Sequence, residues 1–406
     1  MPAPPDGPPA RHNVILSHPA FRRLWLARSI SHVGDGAALI ALLLYVKDVE
    51  RSGFAVAGLL LAQSLPHLLG PLAGAVVDRT RLRRLMIGCD LGQALIFAAI
   101  AWWQPPYATL LLMVGGAAIL DTTFGPAAQS AVPALVERAD LMHANAWMGT
   151  SLNLQVALGP FVGGGLVTAF GARGGLAANA LSFVISAALL TGLPRLRPAA
   201  SAATAGILSG GREGLLFVWR HPLLRALVAG LFMFVAFTGV DNVSLVFLTR
   251  DVLHASALGF GVVTGAFGIG MLAASAALSW LGRRFRAGPL ILVAWLLLGA
   301  ATLGTGLAPS VGAAAALQMV AGIGNGADTV SYATIVQRSV PPALLGRIFG
   351  LVGAAAFAGI ALAYVLAGAL LASTSPRTTI VIGGAGGLAV LLWAGPVIWR
   401  ASRAVE

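Results

Sequence analysis

Twelve apolar runs, each long enough to cross a bilayer, divide this 406-residue chain and constrain its fold more than any other feature. We number them as spans 1 to 12. Spans 1 to 6 fall at about 24–46, 54–77, 85–103, 107–130, 144–169 and 174–193. Spans 7 to 12 fall at about 223–248, 256–281, 288–308, 311–335, 346–372 and 377–399. A helix needs about 20 apolar residues to cross the hydrocarbon core. Only 10% of the residues are charged and 58% are hydrophobic. An ordinary soluble domain carries about 25% charge, so this chain could not cover a soluble globular surface. The expected fold class is an all-α integral membrane protein with twelve transmembrane helices.

The charges orient those helices. There are 26 basic and 14 acidic residues. Of the basic ones, 21 fall on the side that holds both termini and the 2–3, 4–5, 6–7, 8–9 and 10–11 loops. Lys47, Arg51, Arg173, Arg250 and Arg377 fall on the other side. Basic loops stay cytoplasmic, so both termini are expected inside the cell. Lys47 is the only lysine, and this bias, with heavy Ala and Gly use, suggests a GC-rich bacterial genome and hence a bacterial cytoplasmic (inner) membrane. The arginines sit in small groups between apolar runs rather than along a groove with aromatic residues, which argues against nucleic-acid binding. Met1 to Val14 is proline-rich and lacks the apolar core of a signal peptide.

Catalytic signatures are absent from the sequence. Cys89 stands alone, which excludes a disulfide framework and a paired-cysteine metal site. Neither a phosphate-binding P-loop, a zinc-protease motif nor a nucleophile elbow occurs. No cofactor, metal or catalytic residue is expected, and the chain is not expected to be an enzyme.

The two halves resemble each other. His18-Pro19-x-x-Arg22 precedes span 1 as His221-Pro222-x-x-Arg225 precedes span 7. Asp35 answers Asp241, and Gln129-x-x-Val132-Pro133 answers Gln337-x-x-Val340-Pro341. The offsets are 203, 206 and 208 residues, each about half the chain. The expected organisation is a disordered tail at 1–20, six-helix bundles at 21–193 and 223–399, a cytoplasmic linker at 194–222, and a short tail at 400–406. Parallel six-helix repeats place a binding cavity at their interface, near the bilayer midplane.

Several motifs carry a family resemblance. Gly74-Ala-Val-Val-Asp78-Arg79-Thr-Arg-Leu-Arg83-Arg84, between spans 2 and 3, resembles the loop signature of the major facilitator superfamily. The glycine usual inside its basic cluster is replaced. Gly159-Pro160-x-x-Gly163-Gly164 in span 5 resembles the motif of that family's exporters, although Ala146 and Gln155 replace its upstream glycines. Phe21-Arg22-x-Leu24-Trp25, Ser31-x-x-Gly34-Asp35, Pro126 to Pro133, Ala144-Asn145 and Gly346-Arg347-x-x-Gly350 resemble the drug-, macrolide- and siderophore-exporting branch. The resemblance implies that Gly74, Asp78, Arg79, Arg83 and Arg84 form a gating loop that meets the start of span 11 near Arg347. It also implies that spans 1, 4, 7 and 10 line the cavity.

Each of those four spans carries an acid. In span 1, Arg28, His32 and Asp35 share one face at i, i+4 and i+7. Asp35 lies about 16 Å in from Leu24 at 1.5 Å per residue. A carboxylate at that depth is costly unless it meets a partner or a cavity, so it is a candidate functional group. The alternative is a static pair of Asp35 with Arg28 or His32. Asp121 in span 4, Asp241-Asn242 in span 7 and Asp328 in span 10 are the other candidates for the cavity or for proton coupling. Many proton-coupled relatives place a buried arginine in span 4, where this chain has Asp121. Gln63 and His67 in span 2 share a face with Pro66 between them. Asp90 with Gln93 reads as structural, or as an extension of the loop network. Trp25, Trp102, Trp103, Trp219, Trp280 and Trp399 suit an interfacial belt, and Phe232, Phe234 and Phe237 suit either a pocket or a lipid face. These features predict a monomeric secondary transporter exporting a hydrophobic or amphipathic small molecule against protons. An importer or lipid-type carrier of the same fold, and a non-transporting receptor, are the alternatives.

Overall fold

The computed structural model describes residues 17–196, 215–281, 286–341 and 344–402. The remainder of the expected tails and linker, with Pro342 and Ala343, lies outside the described residues, as do the side chains of Asp78 and Trp280. All regular secondary structure among the described residues is helical, and nine helices are long and apolar enough to cross a membrane.

The element order is consistent with twelve crossings. Span 1 is Pro19–Glu50, and span 2 is Gly53–Ser64, a tight 3-10 turn Leu65–Leu69, and Gly70–Arg79. Spans 3 and 4 are Leu82–Trp103 and Tyr107–Ala131. Span 5 begins with Leu141–Ala157 and continues into Gly159–Thr191, whose backbone breaks at Gly171 (φ 69°, ψ 179°). Only a residue without a Cβ takes that conformation easily, and the break separates the end of span 5 from span 6. Span 7 is Pro222–Thr238, then Asp241–Phe247 and a wide turn at Leu248–Val252. Spans 8 to 12 are Ala257–Leu281, Ala287–Leu307, Val311–Ser339, Leu345–Ser373 and Pro376–Ser402. The His-Pro landmark starts a helix in both halves: proline occupies the first turn of span 1 after His18 and of span 7 after His221, where its missing amide costs nothing.

Spans 1 to 6 pack on one another, and so do spans 7 to 12. The halves meet through span 5 against span 8 and span 2 against span 11. Small residues make this seam possible. A methyl built on Gly164 would lie 2.7 Å from the Ala257 carbonyl oxygen, and one on Gly368 would lie 2.7 Å from the Phe54 ring. Thr168 Oγ1 accepts the Leu258 amide at 3.0 Å, and Lys47 pairs with Asp251 across the same end. At the arginine-rich end, by contrast, methyls built on Gly74, Gly149, Gly346, Gly350 and Gly353 would meet nothing within 4 Å. Among the described residues the halves therefore touch at the end carrying Lys47 and Arg51, and these glycines are uncovered at the other.

Two aromatic expectations need correction. Trp25 is a packing residue, not a belt residue: its indole donates to the Trp147 carbonyl at 2.9 Å and its ring meets Trp147 edge-on. Phe234 is buried and stacks on Trp295 at 4.8 Å, so it belongs to the core of the second half. Trp102, Trp103 and Trp219 are exposed, as a belt requires.

Candidate functional site

Breaks in spans 2 and 7 set up the site. Pro66 lacks the amide that a regular helix would use, and the resulting tight turn in span 2 turns Gln63, Ser64 and His67 toward one cavity of about 350 Å³. Asp35 and Leu39 of span 1, Gln93 and Phe97 of span 3, Asp121 of span 4, Gln155 of span 5 and Phe357 of span 11 also line it. A second lobe of about 300 Å³ shares Leu39, Gln63, Ser64 and Gln155 with the first. It continues between the halves to Asp241, Asn242, Gln318, Phe260, Phe267 and Tyr364. Helix breaks at membrane depth are tolerated where they line a cavity, and span 7 breaks immediately before Asp241.

The carboxylates divide by partner. Asp121 meets Arg28 Nη1 at 3.1 Å on one oxygen and His67 Nε2 at 3.6 Å on the other. Arg28 also lies over the Phe124 ring, 4.7 Å from its centroid. Asp35 instead accepts from the Asn179 amide of span 6 at 3.3 Å, and Asp241 accepts from the Gln318 amide of span 10 at 2.5 Å. Among the described residues no ion pair joins Asp35 or Asp241. The shared face of span 1 thus splits: Arg28 reaches span 4 and Asp35 reaches span 6. His32 is buried, and its Nδ1 has no hydrogen-bond partner among the described residues. Arg28 of span 1 supplies a cation to Asp121 of span 4.

Asp328 is placed elsewhere. It accepts from the Trp295 indole of span 9 at 2.8 Å and lines neither lobe. Asp90 is likewise buried within the first half, away from the lobes, while its neighbour Gln93 lines the first. Asn179, Gln155, Gln318 and Tyr364 complete the site without having been singled out as site residues from the sequence. A neutral polar side chain inside an apolar run was the available signal, and it is weaker than a charge. Among the described residues no group of three ligating side chains could hold a metal.

The span 5 glycines have two different duties. Gly159 and Gly163 bring span 1 close: methyls there would lie 2.6 Å from Gly36 Cα and from the Ala37 carbonyl oxygen. Gly164, one position on, faces span 8 of the other half. Span 8 replies with its own glycines: Gly261 against Pro160, Gly265 against Phe161 and Gly268 against Val156 and Ala157. The loop after span 2 is anchored within its own half, since Arg83 Nη1 donates to the Leu193 carbonyl at 2.9 Å. Arg79 and Arg347 are both exposed, at the arginine-rich end.

Two helical halves around a central polar cavity define a membrane transporter of the major facilitator type. The chain belongs to the transmembrane secretion effector family of that superfamily, whose model matches residues 13–401. It is 28% identical over 357 residues, covering 83% of this chain and 85% of the relative, to the multidrug efflux pump Tap of Mycolicibacterium fortuitum. It is 22% identical to macrolide efflux protein A of Streptococcus pyogenes, covering 82% of this chain and 84% of that protein. A crystal structure of a mutant of the nucleoside transporter NupG shares the fold with a TM-score of 0.79 at 13% identity, over 93% of this chain and 99% of that one. An inward-facing bacterial homologue of the lysosomal transporter Spinster gives 0.71 at 16% identity, over 95% and 98%. The chain is therefore a multi-pass membrane transporter of small molecules.

Proposed function

We propose that this transporter exports hydrophobic or amphipathic small molecules from a bacterial cytoplasm in exchange for protons. It works as a monomer, by alternating access, with both termini cytoplasmic. The observation that carries this reading is the two-lobed cavity, in which Asp35 and Asp241 hold matching places in the two halves and each accept from a neutral amide, with no ion pair among the described residues. Asp121 has its charge matched by Arg28, whereas protons can occupy or leave Asp35 and Asp241 without breaking an ion pair. Phe97, Phe260, Phe267 and Phe357 supply apolar walls to the same space. The names of the efflux relatives support the outward direction.

In this cycle the present conformation is the inward-open one, sealed at the outer end by the glycine seam and by Lys47–Asp251. Substrate enters from the cytoplasm, and the halves rock about the cavity. Protons then reach the acids from outside and favour the return. Substrate and proton need only prefer different states of one equilibrium. The loop at Gly74 to Arg84 and the start of span 11 at Arg347 close the inner end in the opposite state. Reconstituted vesicles tested against a panel of amphipathic compounds, with and without an imposed pH gradient, check the proposal. Gradient-dependent accumulation of at least one compound is expected. Transport insensitive to the gradient refutes proton coupling, and transport only toward the arginine-rich side refutes export.

A further inference from the structure

Four arginines converge where span 3 begins, and the central cavity makes no use of them. Arg81, Arg83, Arg84 and Arg195 line a cleft of about 310 Å³, closed at the back by Ile87 and Leu196. The cleft lies over the start of the helix Leu82–Trp103. Arg81 is the residue before its first turn, in extended conformation (φ −78°, ψ 110°), with no side-chain cap and no acid in that turn. The first amides of this 22-residue helix therefore add their positive end to the guanidinium charges. Among the described residues no carboxylate pairs with these four arginines. Arg83 is held in place by its bond to the Leu193 carbonyl at 2.9 Å, which fixes one wall of the cleft. So much cation in one concavity calls for an anion with several acceptor oxygens, and guanidinium forks match phosphate in that respect.

The surface below the cleft indicates what carries the phosphate. Arg84, Gly88, Leu91 and Leu95 follow one another along the outward face of span 3, and Leu91 and Leu95 are 45% and 73% exposed. A methyl on Gly88 would meet nothing within 4 Å, so the strip is open from the arginines into the apolar zone. An acyl chain can lie there while its headgroup occupies the cleft. A soluble phosphate would have no use for this strip.

We propose that this cleft is a binding site for the phosphate headgroup of an anionic lipid in the leaflet at the arginine-rich end. It rests on membrane embedding alone and is independent of substrate or coupling ion. The test uses the full chain in phosphatidylcholine vesicles, measuring the association of spin-labelled phosphatidylglycerol against spin-labelled phosphatidylcholine. The wild-type protein should prefer phosphatidylglycerol about a hundredfold, and Arg81→Gln, Arg84→Gln or Arg195→Gln should each lower that preference about fivefold, the worth of one surface arginine near an anionic lipid. Lysine at the same positions should keep more of the preference than glutamine does and less than arginine, which separates lost charge from lost folding. Arg22→Gln, at the same end but outside the cleft, should change it less than about twofold. Equal association of the two lipids, or an equal loss in Arg22→Gln, would overturn the site in favour of diffuse surface charge. Displacement of the lipid by millimolar inorganic phosphate, with the same arginine dependence, would assign the cleft to a soluble phosphate and overturn the lipid proposal.

Discussion

Three consecutive glycines in span 5 should respond in three different ways to the same added methyl. On Gly164 the methyl would lie 2.7 Å from the Ala257 carbonyl oxygen, 3.0 Å from Leu258 Cα and 3.1 Å from Gly261 Cα. All three are backbone atoms of span 8, so no side-chain rotation relieves the contact and the helices must separate. Overpacking of this kind costs about 1–3 kcal/mol. In the proposed cycle this contact is made only while the seam is closed, so the cost falls on the present conformation alone. Gly164→Ala should then shift the equilibrium toward outward-open about 5- to 150-fold, at 1.4 kcal/mol per factor of ten. Gly163→Ala meets Ala37 of span 1 at 2.6 and 2.7 Å, inside the same half. That clash persists in both states, so it should lower thermal stability without opening the outer end. Gly165 has no neighbour within 4 Å, and Gly165→Ala should be neutral in both measurements. The assay is the distance distribution between spin labels at Glu50 and Pro309, in a Cys89→Ser background. An unchanged distribution in Gly164→Ala, or equal opening in Gly163→Ala, would refute the division of duties.

Other substitutions test the remaining contacts. Asp251→Asn removes the partially exposed Lys47 pair and should favour the outward-open state about two- to fivefold, an effect that high salt should erase; an unchanged label distribution argues against a gate there. Arg28→Gln leaves Asp121 with His67 alone and should destabilise the protein by about 1–3 kcal/mol, while Arg28→Gln with Asp121→Asn should recover part of the lost melting temperature. If the double variant is the less stable, the pair is not what holds spans 1 and 4. Gln318→Leu strips Asp241 of its amide and should weaken substrate binding about tenfold, as expected for a buried acceptor left unsatisfied; unchanged binding would remove that lobe from the substrate path.

Legibility in the sequence followed the strength of each physical signal. Apolar runs set the spans because bilayer thickness admits few alternatives, and even the short connection at Gly171 falls between the runs read as spans 5 and 6. Pro66 announced trouble in span 2, and the tight turn there is what carries His67 to Asp121. The partners of the acids could not be read. Helical spacing sets Arg28 and Asp35 on one face, but which helix each meets is decided by packing between spans distant in sequence. Asn179 and Gln318 escaped because a neutral amide in an apolar run is cheap enough to pass as structural. The exporter-like glycines were legible as close-packing residues. That Gly163 faces span 1 and Gly164 faces the other half depends on a rotation of about 100° per residue against neighbours that the sequence does not name.

Coupling is the central claim, and Asp35 is its sharpest test. Asp35→Asn removes the proton site while keeping the shape and the amide contact to Asn179. Vesicles carrying this variant should still exchange labelled for unlabelled substrate at near the wild-type rate, because exchange needs only the loaded transitions. They should fail to concentrate substrate when a pH gradient is imposed. Gradient-driven accumulation by Asp35→Asn at the wild-type level would contradict the account and move the proton to another acid, with Asp241 the first to examine.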